Sequence, residues 1–588
     1  MTHVEIIHGA PGCGKTHTLL DAVERHHSED GINPYDLRLA NFTNNGREET
    51  ADDLVERGVF DLDAYDMEED DLRRTCRTLH SIALSCCRDG HPTLHEPKEQ
   101  IITLQDNWEF YEGFCQQWGL SLDEKETNPL RLITNGKEDT AAGNKLFGVD
   151  QWLHAMFVPS ADRLDHLTEC PVSVELPNSR VREILQAWDE YKRNADPRRF
   201  EHHDYVDACL KRDYAPEVRL LCIDEFQDLS PVEYALYKLW RDSGEIDWIY
   251  VAGDVNQSIY SFRCATPFYL SATDVDGRQY LTDSYRCPQA VSDVAQNILE
   301  AEPSITQNVF ETAEQPNGRV PSGSVSMQSV ASDVEIAETV RDALDEHEQP
   351  GREDSATVYL LTRTNWQLGV LSQALQRRGV PFDAIGEKMT PWPDFAIDCL
   401  VALRALRGGR PAPRESTDTL IDNATNSERR EELLTNADVD YRELRYDKSA
   451  SAPVYYPEQV QAAFPDRSAA EIVGVLDLPT YQRDMLRGAL ETDAAPVPER
   501  VQVGTIHEAK GLEAPCVMLF AETTGNIIER YEAGETRAEE HRIMYVGATR
   551  ASESLILLDG FFDGPVHPVF AGGLPGLGDE DVEKGVVG

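Results

Sequence analysis

Short, wholly apolar runs recur along the chain, and at several of them polar, chemically capable residues follow directly. The runs are Ile6-Ile7, Leu220-Leu221-Cys222-Ile223, Ile249-Tyr250-Val251-Ala252, Val358-Tyr359-Leu360-Leu361, Cys516-Val517-Met518-Leu519-Phe520 and Leu555-Ile556-Leu557-Leu558. Runs without a polar alternate suit strands covered on both faces, as in parallel sheets. Between them lie stretches of helical periodicity, such as Arg180–Arg193 and Val334–Glu346. The alternation predicts an α/β fold built on parallel sheets. Two regions break the rhythm and read as insertions. Residues 88–200 carry helical patterns around Trp108–Trp118 and Arg180–Tyr191. Residues 391–500 are polar, with a loop-like stretch from Arg407 to Pro413 and helical patterns at Ala469–Leu476 and Tyr481–Leu490. The tail, 571–588, is rich in glycine and acid and is expected to be mobile.

Composition narrows the class. With 588 residues, the chain is about four times a ~150-residue domain, so several compact units are expected. A hydrophobic content of 40% argues against a mainly disordered protein. No apolar run approaches the ~18 residues of a membrane span, and the start, Met1-Thr2-His3-Val4-Glu5, lacks the segments of a signal peptide. A soluble, cytoplasmic protein is expected. The twelve cysteines include no CxxC pair, so neither a disulfide framework nor a metal ribbon is indicated. Charge is the unusual feature: 105 acidic residues face 55 basic ones, for a net −50. Such an excess normally opposes phosphate binding. Here the acid is spread along the whole chain, a pattern that resembles proteins of salt-accumulating halophiles, where molar salt shortens the Debye length to ~3 Å.

Two elements carry candidate chemistry. Gly9-Ala10-Pro11-Gly12-Cys13-Gly14-Lys15-Thr16 follows the first predicted strand and matches the G-x-x-x-x-G-K-[ST] phosphate loop. Its glycines let backbone N–H groups converge on phosphate, Lys15 reaches the β and γ phosphates, and Thr16 ligates Mg²⁺. The second is Ile223-Asp224-Glu225-Phe226-Gln227-Asp228, at the end of another buried strand. A carboxylate there can hold the metal while its neighbour orients and deprotonates the attacking water. These roles fall to Asp224 and Glu225.

Further segments resemble, in order, the motifs of the UvrD/Rep/PcrA branch of superfamily 1 DNA helicases. Gly253-Asp254-Val255-Asn256-Gln257-Ser258-Ile259-Tyr260-Ser261-Phe262-Arg263 resembles motif III. Leu39-Ala40-Asn41-Phe42-Thr43-Asn44 resembles motif Ia, Arg77-Thr78-Leu79-His80-Ser81 motif Ib, and Asp204-Tyr205-Val206-Asp207 the acidic stretch before the second motif. Leu281-Thr282-Asp283-Ser284-Tyr285-Arg286 resembles motif IV, and Leu361-Thr362-Arg363-Thr364-Asn365 the segment after it. Residues 504–513 resemble motif V and residues 540–551 motif VI.

The resemblance implies two RecA-like motors with ATP in their cleft and single-stranded DNA across their tops. The first would combine residues 1–87 and 201–285, carrying 88–200 as a helical insertion. The second would combine 286–390 and 501–570, carrying 391–500 as a reduced one. By motif position, Gln257 senses the γ-phosphate, and Arg286 and Arg550, from the opposite motor, are arginine fingers. Tyr285 stacks on adenine, and Glu513 contacts the ribose or couples the sites. Phe262 takes the place of the base-stacking aromatic, with Phe42, Thr43, His80, Arg363, Thr505 and His507 holding bases and backbone. The implied cofactors are ATP and Mg²⁺. The implied activity is 3′→5′ helicase or translocase movement on single-stranded DNA and at single–double-strand junctions, in repair, recombination or replication, with loading or repair partners. The protein would be nucleoid-associated when on DNA.

Three departures shape the expectation. Only eight residues precede Gly9, without the family's adenine-reading glutamine, so relaxed purine selectivity or a start further upstream would follow. Asn45-Gly46 replaces the usual Lys-Ala of motif Ia, and Cys264 stands where a glycine usually follows Arg263. Residues 391–500 are short and lack a Gly-Ile-Gly that grips duplex, which favours translocation over strand separation. The alternatives are an ATP-controlled clamp that strips proteins from single strands and a helicase–nuclease subunit. No nuclease carboxylate cluster is recognisable outside the motors.

Overall fold

The apolar runs at 6–7, 220–223 and 249–252 fold as strands of one sheet, and those at 358–361, 516–520 and 555–558 as strands of a second. This computed structural model describes residues 2–42, 44–90, 93–94, 96–124, 140–156, 163–305, 310–315, 318–347, 358–385, 394–424, 454–492 and 500–570. The chain divides into two units: Met1–Tyr285 with Pro303–Ala313, and Arg286–Glu302 with Glu314–Gly588. Among the described residues, no helix is long and apolar enough to cross a membrane. The tail 571–588, expected to be mobile, lies outside the described residues.

In the first unit, β1 (His3–Gly9), β2 (Leu37–Asn41), β3 (Cys76–Thr78), β4 (Leu220–Ile223), β5 (Trp248–Gly253) and β6 (Gly277–Leu281) form a parallel sheet in the order β3-β2-β4-β5-β1-β6. The pairings Ile223↔Val251 and His8↔Gly253 bring the ends of β4, β5 and β1 to one edge. Ligands of open α/β sheets bind at that edge. Both faces are covered. The helix Lys15–Asp30 lays Leu19, Leu20 and Val23 over Leu39, Cys222 and Ala252. The other face buries Ile6, Ile223 and Val251 under Phe226, Leu236 and Trp240. Each such large apolar side chain contributes about 1.5–3 kcal/mol on leaving water.

The expected 88–200 insertion holds a core of its own. Helices Trp108–Trp118, Ala142–Met156 and Asn178–Asn194 bury Phe114, Phe147, Leu185 and Trp188 together. The chain leaves the sheet through helix Leu79–Gly90 and returns through helix His202–Arg212. At the return, the buried Glu201 carboxylate accepts from Tyr111 Oη at 2.7 Å, Trp188 Nε1 at 2.9 Å and Lys192 Nζ at 2.8 Å. Burial alone would raise the Glu201 carboxyl, but the Lys192 ammonium overrides it and holds it well below the usual range.

The second unit repeats the plan. β9 (Ser324–Ser329), β10 (Val358–Thr362), β11 (Asp383–Ala384), β14 (Val501–Thr505), β15 (Ala514–Phe520) and β16 (Ala551–Asp559) form a parallel sheet in the order β11-β14-β10-β15-β16-β9. Among the described residues, the helices from 391–500 do not build a separate core. Leu400, Leu403, Ile472 and Leu486 join the same buried cluster as Leu360 and Phe520. Two local outcomes differ from the sequence reading. The loop-like stretch 407–413 contains β12 (Ala412–Pro413), paired antiparallel with β13 (Val454–Tyr455), because Ala412 is buried against the unit. Pro303–Ala313 returns to the first unit, where β8 (Glu311–Thr312) pairs with β7 (Asp283–Ser284).

Candidate functional site

The phosphate loop joins β1 to helix Lys15–Asp30. Gly14, the residue before that helix, sits at φ 76°, in the left-handed region where a Cβ is strained. Gly12 is left-handed too, at φ 71°, and the loop leads into the positive end of a 16-residue helix. Lys15 Nζ donates to Gly9 O at 2.9 Å and Ala10 O at 3.2 Å. Its charge therefore rests on two neutral carbonyls of the loop it would share with a phosphate. β7 pins the loop from behind: Ser284 Oγ donates to Pro11 O at 2.8 Å and Tyr285 N–H to Gly12 O at 3.0 Å. The ring of Tyr285 remains exposed beside the loop.

The end of β4 meets this loop. Thr16 Oγ1 donates to Asp224 Oδ2 at 2.7 Å. Burial raises the Asp224 carboxyl, and the adjacent Glu225 carboxylate adds to the effect. A hydroxyl and a carboxylate this close are the hard oxygen donors that suit Mg²⁺. Glu225 is a non-glycine residue at φ 54°. From there a chain of contacts runs to β5. Gln227 Nε2 donates to Glu225 Oε2, Gln227 Oε1 accepts from Asp254 N–H at 3.0 Å, and Gln257 Nε2 donates to Asp254 Oδ2 at 2.9 Å. A Cβ on Gly253 would stand 2.3 Å from Gln227 Oε1, so only glycine lets this relay close.

Beyond Gln257 the same segment presents aromatic rings. Phe42 stacks on Tyr260 with centroids 5.3 Å apart, and Phe262 meets Tyr260 edge-on at 5.9 Å. The Arg263 guanidinium lies 4.6 Å over the Phe42 ring. His80 is partly covered, with Nδ1 3.3 Å from Glu233 Oε1. Burial lowers its proton affinity against the pull of Glu233. Thr43 lies outside the described residues.

The second unit collects the remaining candidates, and its three candidate arginines are each engaged. Arg363 makes two hydrogen bonds to the Glu540 carboxylate, at 2.9 and 2.7 Å, and His567 Nε2 lies 3.1 Å from the same group. Burial would raise Glu540, yet the Arg363 guanidinium holds it far below the usual carboxylate range. Arg286 pairs with Glu513. Arg550 is 1% exposed and donates to Val546 O, Leu512 O and Thr549 Oγ1 at 2.9, 3.1 and 3.2 Å. Thr505 N–H and Oγ1 both contact Glu508 Oε2 at 2.9 Å, closing the turn that carries the partly exposed His507.

Known families identify this arrangement. The UvrD/REP helicase N-terminal domain matches residues 2–276, and the UvrD-like helicase C-terminal domain matches residues 480–558. The chain belongs to the UvrD/Rep helicase family. Relatives include ATP-dependent DNA helicase UvrD2 of Mycobacterium tuberculosis, 26% identical over 362 residues, covering 60% of this chain and 49% of that protein. ATP-dependent DNA helicase PcrA of Staphylococcus epidermidis is 24% identical over 417 residues, covering 58% and 55%, and DNA helicase II of Haemophilus influenzae 21% over 561 residues, covering 82% and 72%. The chain spans about half the length of the first of these relatives.

Within this UvrD/Rep chain, sequence reading missed two members of the relay, Gln227 and Asp254. Both stand inside the quoted motifs, and their polarity beside buried strands was the available signal. Cys264 takes φ 65°, which accounts for the glycine usual in the family at that place. Arg363, expected on the DNA, has its guanidinium committed to Glu540.

Proposed function

We propose that the protein is an ATP-driven motor that moves 3′→5′ on single-stranded DNA and separates strands at single–double-strand junctions inside the cell. The observation that carries the proposal is the segment 253–263. Gln257 lies at the end of the relay from Glu225, and Phe262 stands five positions on, in the aromatic platform with Phe42 and Tyr260. One short segment thus links the group that reads the phosphate to the group that stacks a base.

ATP would lie on the phosphate loop with its base on Tyr285. Lys15 would exchange its two loop carbonyls for phosphate oxygens at little cost, since the carbonyls are uncharged. Thr16 and Asp224 would hold Mg²⁺, which would supply charge neutralisation on the phosphates. Glu225, kept in place by the Gln227 amide, orients the attacking water and takes its proton. Gln257 responds to the γ-phosphate through Asp254. Arg286 and Arg550 supply positive charge to the transferring group. On the DNA side, Phe42 and Phe262 stack bases without regard to sequence, and His80, Thr505 and His507 hold backbone and bases.

An unwinding assay on a 3′-tailed duplex, run beside displacement of a protein block from single strands, tests the reading. Both activities are expected, ATP-dependent and lost in Lys15→Ala. Displacement without unwinding would leave a translocase that strips proteins, and absence of both would defeat the motor assignment.

A further inference from the structure

Within the first unit the chain enters the 88–200 region through helix Leu79–Gly90 and leaves it through helix His202–Arg212. Cys87 and Cys209 face each other where these helices pack. Their sulfurs are 3.2 Å apart and both side chains are fully buried. The contact is reciprocal: Cys87 Sγ donates to Tyr205 O at 3.1 Å, and Cys209 Sγ to Ala83 O at 3.2 Å. Each sulfur approaches the carbonyl one helical turn before the other cysteine, so the pair marks a close, symmetric crossing of the two helices. Neither thiol takes part in the hydrolysis or DNA contacts described above, and none of the twelve cysteines is in a disulfide.

We infer that Cys87 and Cys209 form an oxidation site that hydrogen peroxide closes to a disulfide, sealing the base of the 88–200 region. The sulfurs must move from 3.2 Å to about 2.05 Å, a short approach between helices already in contact. Either thiol can attack, with the other in reach to resolve, and hydrogen bonding from Cys209 favours Cys87 by lowering the proton affinity of its thiol. The Cys87 thiolate attacks one peroxide oxygen and the O–O bond breaks. Hydroxide leaves and takes up the proton as water, and Cys87 becomes a sulfenic acid. Cys209 then attacks that sulfur, the S–O bond breaks, the S–S bond forms, and a second water leaves. Two thiols give up two electrons and two protons, and one peroxide becomes two waters. The bond joins positions 122 apart and encloses the whole insertion, so a chain cut within it remains in one piece.

The test uses the full chain, reduced and then treated with hydrogen peroxide. Its readouts are thiol titration, non-reducing peptide mapping and thermal denaturation. The expected result is a loss of two titratable thiols and two hydrogens of mass, a joined Cys87–Cys209 peptide pair and a raised melting temperature, all reversed by a phosphine reductant. Cys87→Ser and Cys209→Ser should each abolish the joined pair, whereas Cys86→Ser should leave it. If a serine variant does not fold, the alanine variant replaces it, because the joined peptide is read from any folded chain. A cross-link through Cys86, sulfinic acid at Cys87 without a cross-link, or an unreacted pair while exposed thiols oxidise would each overturn the inference.

Discussion

The two units hold their charged candidates in opposite ways. In the first, Lys15 rests on loop carbonyls and Thr16 on Asp224, partners that a phosphate or a cation can replace without stranding a charge. In the second, Arg363 is locked to the buried Glu540. Withdrawing it would leave the buried carboxylate without its guanidinium, with His567 alone beside it, a loss of up to about 3–5 kcal/mol. Arg286 and Arg550 fall between. The Arg286 partner, Glu513, is 53% exposed, so that pair is worth little. Arg550 donates to two carbonyls and one hydroxyl. The contrast separates groups that ligands can recruit from groups that hold the fold.

The largest expected effects lie on the recruitable side. Glu225→Gln should bind ATP yet lower kcat by roughly 10³-fold or more, and Arg550→Ala should lower kcat similarly with little change in KM. If steady-state kinetics showed Arg550→Ala raising KM at constant kcat, its grouping with Arg286 would be wrong. The next effect sharpens the other side. Arg363→Ala should cost about 3–5 kcal/mol in chemical denaturation, and adding Glu540→Ala should recover part of the loss. Glu540 is depressed in the folded state, so its contribution is full above the ordinary carboxylate range. It fades only as pH falls through the low folded value. A stable Arg363→Ala that had lost only DNA affinity would erase the distinction.

Smaller effects follow from the platform and from salt. Phe262→Ala removes one stacking surface, worth about 1–3 kcal/mol per base. It should weaken stimulation by single-stranded DNA while basal ATPase holds. Equal stimulation by duplex would count against the platform. At net −50, raising KCl from about 0.1 M towards molar levels should relieve self-repulsion and favour folding, followed by circular dichroism. The buried Arg363–Glu540 pair should be indifferent to it. DNA affinity should fall only shallowly, since stacking is less salt-sensitive than the ~0.7 log–log slope per neutralised phosphate. A steep slope would shift the DNA contacts from rings to cations.

Elements dominated by local pattern were legible in the sequence. The apolar runs became strands, and the helix expected over Arg180–Arg193 spans Asn178–Asn194. The phosphate loop declared itself because its chemistry needs a fixed local spacing. Pairings over long separations were not legible. Arg363 and Glu540 lie 177 positions apart, so a motif position alone could not reveal that the guanidinium was already spoken for. Gln227 joins two motifs 27 positions apart, and only the β4–β5 register brings them together. Both regions read as insertions, but among the described residues 88–200 carries a separate core and 391–500 does not. The difference lies in which surface each helix covers, and periodicity does not encode that.

Cys264 is strained by its backbone, with φ 65° where glycine would sit without cost. Yet its side chain is buried in the same core as Trp188 and Leu185 of the 88–200 region. The strain has a mechanical meaning. The sulfur is a rivet, fastening the segment of Gln257 and Phe262 to a body of helices outside the sheet. Any pull on that segment would be taken against the insertion, and a glycine at 264 would relax the backbone but leave the rivet hole empty.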